Sequence, residues 1–104
     1  MFTMKGFVYL LFDGELYKIG VTRGDINKRI KKLQTGNPYS IVLIDSYQTN
    51  FPFQVEKMLH NRFVSKKVNN EWFDLSLEDV NNFQMECKKA STIIEALKDN
   101  PFFK

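Results

Sequence analysis

Apolar residues run or alternate in strand fashion near the start of the chain, then take up helical spacing, and each change of period marks an element. In Gly6–Phe12, Val8, Leu10 and Phe12 fall on one side and Phe7, Tyr9 and Leu11 on the other. Both sides are apolar or aromatic, so the pattern predicts a central strand covered on both faces. Asp13-Gly14 is a hairpin signal. Glu15–Thr22 reads as the second strand, with Leu16, Lys18 and Gly20 alternating with Tyr17, Ile19 and Val21. Ile26, Ile30 and Leu33 then recur at helical spacing, predicting a helix over 26–34 with Asp25 as N-cap and Gly36 after its end.

The β-branched run Ile41-Val42-Leu43-Ile44 predicts a strand within 40–47. Pro52 suits the first turn of a second helix over 53–63. There Val55, Leu59 and Arg62 share one stripe, and Glu56, His60 and Phe63 an adjacent one. Residues 65–70 read as a polar, basic loop, and 71–75 as a short edge strand. Ser76 caps a last helix with an acidic first turn and an apolar face of Val80, Phe83, Cys87, Ala90, Ile94 and Leu97. Asn100-Pro101 ends it, and Phe102-Phe103 follows as a packed or exposed tail. The order ββαβαβα implies an α/β (α+β) fold, with a small, mainly antiparallel sheet of three to four strands flanked by helices. The 104 residues suit one domain, with a core over 6–75 and a C-terminal helix over 76–100 packed on it.

Composition narrows the class. Ten Phe, four Tyr and one Trp exclude a chain that never folds. No apolar run approaches the ~18 residues of a membrane span, and the N-terminus lacks a signal-peptide layout. A single cysteine, Cys87, cannot form an internal disulfide, and one His beside it cannot complete a zinc site. An intracellular location, cytoplasmic or nuclear, is expected. Residues 1–67 hold eleven Lys/Arg against five Asp/Glu, whereas residues 68–104 hold four against seven. The first two thirds would therefore attract a polyanion and the remainder would not.

Several residue types in the basic part suit phosphodiester chemistry. Tyr9 or Tyr17 could hold or deprotonate a water if Lys18 or Arg29 stands nearby. Arg29 offers a planar fork to phosphate oxygens. Glu56 is a hard oxygen ligand for Mg²⁺ or Mn²⁺, and His60, one turn on, can face the same cleft. Arg23, Lys28, Lys31, Lys32, Lys66 and Lys67 are candidates for backbone phosphate contacts.

These segments, in this order, resemble the GIY-YIG nuclease superfamily, in particular its compact subfamily of phages and large DNA viruses. Phe7-Val8-Tyr9 is similar to the first motif and Tyr17-Lys18-Ile19-Gly20-Val21-Thr22 to the second. Residues 29–38 resemble its helix and following turn, residues 56–63 its metal-bearing helix, and Glu71-Trp72-Phe73 its closing strand. The resemblance covers residues 6–75. It implies a metal-dependent DNA endonuclease in which Tyr9 stands in the active site, Arg29 stabilises phosphate and Glu56 binds one Mg²⁺ or Mn²⁺. The implied partner is double-stranded DNA; a core of this size alone would cut with low selectivity or rely on a homodimer or a further partner.

The chain departs from the family pattern at Lys18, which stands where the second motif usually has tyrosine. Tyr17 lies one residue earlier, on the opposite strand face. Either Lys18 is the active-site group or a bulge restores Tyr17. Asn69 and Asn70 are candidates for the family's late asparagine. The other reading is a catalytically silent DNA- or RNA-binding module that keeps the nuclease fold.

Overall fold

The computed structural model describes residues 5–98. The stop at Asn100-Pro101 and the Phe102-Phe103 pair lie outside the described residues. In chain order the elements are β1 (Gly6–Phe12), β2 (Tyr17–Thr22), α1 (Ile26–Thr35), β3 (Val42–Thr49) and α2 (Pro52–Arg62), then a 3-10 turn (Val64–Lys66), β4 (Lys67–Asn69), β5 (Trp72–Phe73), α3 (Leu77–Asn81) and α4 (Phe83–Leu97).

The strands form one antiparallel sheet ordered β3-β1-β2-β5-β4. As the apolar pattern predicts, β1 is central and buried on both faces. Val8, Leu10 and Ile19 pack with Val55 and Leu59 of α2, with Phe63 just past its end, with Phe73, and with Phe83, Cys87, Ala90 and Ile94 of α4. On the opposite face Tyr9, Leu11 and Ile41 meet Ile30 and Leu33 of α1. Helices thus cover both faces of the sheet.

Local chemistry sets the early turns. Asp13 Oδ1 accepts from the amides of Glu15 and Leu16, at 2.9 and 2.7 Å, and Gly14 takes φ +102°, a left-handed conformation that glycine adopts without penalty. Asp25 caps α1 by accepting from the amides of Asn27 and Lys28. Pro52 opens α2, where its missing N–H costs nothing.

The structure corrects several expectations. The sheet has five strands rather than three to four. The segment expected as a basic loop holds the 3-10 turn and β4, because Asn70 reverses the chain at φ 40° and pairs Asn69 with Trp72; Asn tolerates this region better than most residues. Consequently β5 is interior, between β2 and β4, and the edge is β4. Strand β3 starts at Val42 and forms the other edge, which leaves Val42, Leu43 and Ile44 exposed. The last helix is interrupted at Asn82, whose φ −92° and ψ 6° are non-helical. The Ser76–Asp79 capping box opens α3, and Asn81-Asn82 favours the break because short amide side chains compete for backbone hydrogen bonds.

Candidate metal centre and phosphate site

Hairpin register decides which side chains of β2 face the site. Leu11 pairs with Lys18 and Tyr9 with Gly20, whereas Phe12 pairs with Tyr17. Lys18 and Gly20 therefore share the face of Tyr9. Tyr17 points the other way, packed on the main core with its ring 4.6 Å from that of Phe12. No bulge interrupts the β1–β2 pairing to bring Tyr17 round.

Tyr9 lies across the second strand at Gly20. A Cβ on Gly20 would stand 2.5 Å from the Tyr9 hydroxyl, so only glycine leaves room for the ring. The hydroxyl accepts from Arg29 Nε at 3.4 Å, and this bond raises the Arg29 pKa. Tyr9 is 1% exposed and Lys18 8%.

Where β5 runs out, β2 is open at its edge. The amide of Ile19 still donates to the Glu71 carbonyl at 3.2 Å. The Ile19 carbonyl accepts from His60 Nε2 at 2.9 Å, which brings α2 against the strand. Phe73 meets the His60 ring edge-on at 4.9 Å. With Nε2 donating, the lone pair of neutral His60 sits on Nδ1. A backbone carbonyl holding one ring nitrogen while the other ligates is a common arrangement at metal sites.

Glu71 joins the two flanks. Lys18 Nζ donates to its carboxylate at 2.9 Å and lies 5.7 Å from the centre of the Trp72 ring. Its charge also acts on Arg29 and His60. The Glu56 carboxyl is within hydrogen-bonding reach of Glu71. Burial pushes the Glu56 pKa up, the Glu71 charge and hydrogen bond add to that, and it reaches about 7. Burial raises Glu71 too, but the hydrogen bond and charge of Lys18 outweigh it and hold Glu71 below the usual carboxylate range. Two facing carboxyls need a proton or a cation between them.

Ligand atoms of Glu56, His60 and Glu71 all lie within 4.8 Å of one another. Two carboxylates and an imidazole suit a divalent cation such as Mg²⁺ or Mn²⁺. Two facing carboxyls and an imidazole converge on one point, so the donor set fits.

Of the expected residues, Glu56 and His60 stand in the cluster, Lys18 bonds Glu71, and Arg29 bonds Tyr9, whereas Tyr17 faces the main core and Arg23 stacks on Phe53. Lys28, Lys31 and Lys32 are exposed on α1. Lys66 is ion-paired with Asp79 near the cap of α3, and Lys67 is exposed on the far edge strand. Glu71 was not singled out as a ligand in the sequence. Its only signal was its place just before the Trp72-Phe73 strand.

A family model described as the T5orf172 domain matches residues 6–88. The chain belongs to the T5orf172 domain family. This family is linked to the GIY-YIG nuclease clan. The T5orf172 match extends past the closing strand into α4, which carries Phe83 and Cys87 into the core. Neither the curated proteins nor the solved structures yielded a match. No helix among the described residues is long and apolar enough to cross a membrane.

Proposed function

We propose that this protein is a divalent-metal-dependent endonuclease of the compact phage and large-virus type, hydrolysing phosphodiester bonds in DNA. The observation that carries this reading is the convergence of Glu56, His60 and Glu71 within 4.8 Å, with Lys18 bonded to Glu71 from β2. In this reading Glu56, His60 through Nδ1, and Glu71 hold Mg²⁺ or Mn²⁺. A bound cation would supply Lewis-acid polarisation of a phosphoryl oxygen and a more acidic water.

The remaining roles belong to the chain. Arg29 spends Nε on Tyr9, which leaves its two terminal nitrogens for a phosphate. Tyr9, being buried, acts through Arg29 as a positioning residue. Lys18 keeps Glu71 ionised and in place. Exposed Lys28, Lys31 and Lys32 on α1 would track the backbone of duplex DNA.

A second reading has one observation in its favour. Tyr9 and Lys18 are closed off from solvent, as suits a module that binds DNA or RNA without cutting it. Supercoiled plasmid incubated with Mg²⁺ or Mn²⁺ separates the two. Nicking by the wild type, reduced about 100-fold or more in Glu56→Ala and Arg29→Ala, is expected. No nicking by any protein, or equal nicking by all three, overturns the enzyme reading. Salt-sensitive binding without cleavage leaves the silent module.

A further inference from the structure

Arg23 and Phe53 form a pair that the cleavage reading does not use. Arg23 follows the end of β2, and Phe53 lies in the first turn of α2. The guanidinium carbon sits 4.9 Å from the centre of the Phe53 ring, a cation–π stack. Phe53 is 49% exposed. Isolated exposed aromatics are ordinary on protein surfaces. This one differs in its position.

Phe53, Glu56 and His60 stand at i, i+3 and i+7 on α2, and so share one helix face. Residues three apart on a helix have Cβ atoms about 5–6 Å apart, so the ring is one turn from the donor cluster. On the other flank, Arg23 leads into α1, whose exposed lysines and Arg29 are basic. A flat apolar surface edged by cations, one turn from a phosphate-handling cluster, matches the chemistry of a nucleobase beside its own phosphate. Bases stack on aromatic rings and guanidinium planes whatever their sequence.

We propose that the Arg23–Phe53 stack is a platform for one unpaired nucleobase next to the phosphate at the Glu56–His60–Glu71 cluster, which makes single-stranded or branched DNA the preferred substrate. A base inside a duplex has both faces covered and must be unstacked before it can use the ring. The proposal rests on the nucleic-acid reading above and names its substrate class.

The test uses a single-stranded oligonucleotide carrying 2-aminopurine and its matched duplex, in EDTA so that nothing is cut. Wild type, Phe53→Ala, Phe53→Leu and Phe53→Trp are compared. Phe53 is half-exposed, which makes Phe53→Ala benign for folding, and Phe53→Leu keeps apolar bulk without an aromatic face. The wild type should quench the fluorophore. The Ala and Leu variants should bind the single strand about tenfold more weakly, Phe53→Trp should bind like wild type, and duplex affinity should stay within about twofold throughout.

Unchanged single-strand binding by the Ala and Leu variants overturns the proposal and leaves the nucleic-acid reading standing. Equal losses on single strand and duplex also overturn it, since the ring then only supports Arg23. Absence of wild-type binding to either probe overturns both. Ring-dependent quenching by a protein that never cuts DNA upholds the platform and removes the cleavage reading.

Discussion

Glu56 and Glu71, one from the middle of α2 and one from the residue before β5, bring their carboxyls within 4.8 Å of each other, and burial with the Glu71 charge raises Glu56 while Lys18 holds Glu71 low. This relationship links pH, metal and stability. The folded pKa of Glu56, about 7, lies above the ordinary carboxylate value near ~4.3. Between the two values the folded chain binds the extra proton, so its stability falls as pH rises. The metal-free protein should melt at a lower temperature at about pH 8 than at about pH 5.5, and Glu56→Gln should flatten that slope. Mn²⁺ should stabilise more at the higher pH, because it replaces the proton. Equal Mn²⁺ shifts at both pH values would contradict the shared site.

Lys18 is almost fully enclosed and is ion-paired with Glu71. Lys18→Met keeps the aliphatic stem but removes the charge. Urea unfolding should show a loss of about 1–2 kcal/mol, kept small by the solvent on the open side of Glu71. In a carboxyl-resolved NMR titration the Glu71 signal should move to higher pH.

The room at Gly20 belongs to Tyr9. Gly20→Ala should cost about 1–3 kcal/mol through overpacking against the ring. The penalty should shrink when Tyr9 is also cut back to Ala, a non-additivity that a double-mutant cycle reads directly. Additive losses would place the strain elsewhere.

Cys87 is buried, and burial, with the charges of Asp45 and Glu86, pushes its thiol up to about 12. The thiolate is the reactive form. A disulfide exchange reagent at neutral pH should leave the folded protein unmodified and label it within the unfolding transition.

Much of this fold was legible because local signals agree with one another. The two-sided apolar run of β1, the Asp13-Gly14 turn, the Asp25 cap and Pro52 each specify a boundary without distant partners. What failed depends on pairing between distant segments. The Val42–Ile44 run reads as a strand, but its place at the sheet edge is set by strand order, which spacing does not carry. Parity alone distinguishes Lys18 from Tyr17, and the β1–β2 register decides it for Lys18. Glu71 escaped notice because an acid beside an Asn-Asn turn is ordinarily solvated. Only the meeting of Lys18 with Trp72 across β2 and β5 carries it to Glu56. Arg29 was recognisable as a phosphate-binding group, but its anchor on Tyr9 follows only from how α1 packs on β1.

The β4–β5 hairpin is the slightest part of the sheet, with strands of three and two residues and an outer strand exposed throughout. It also delivers Glu71, whereas Glu56 and His60 ride on a helix bedded in the core. A cation shared among them would fasten that lightly held flap to the helix, so loading should slow amide exchange around Asn69–Phe73 more than anywhere else. The ion would then act as a mechanical clasp, and an emptied centre would let the flap open first.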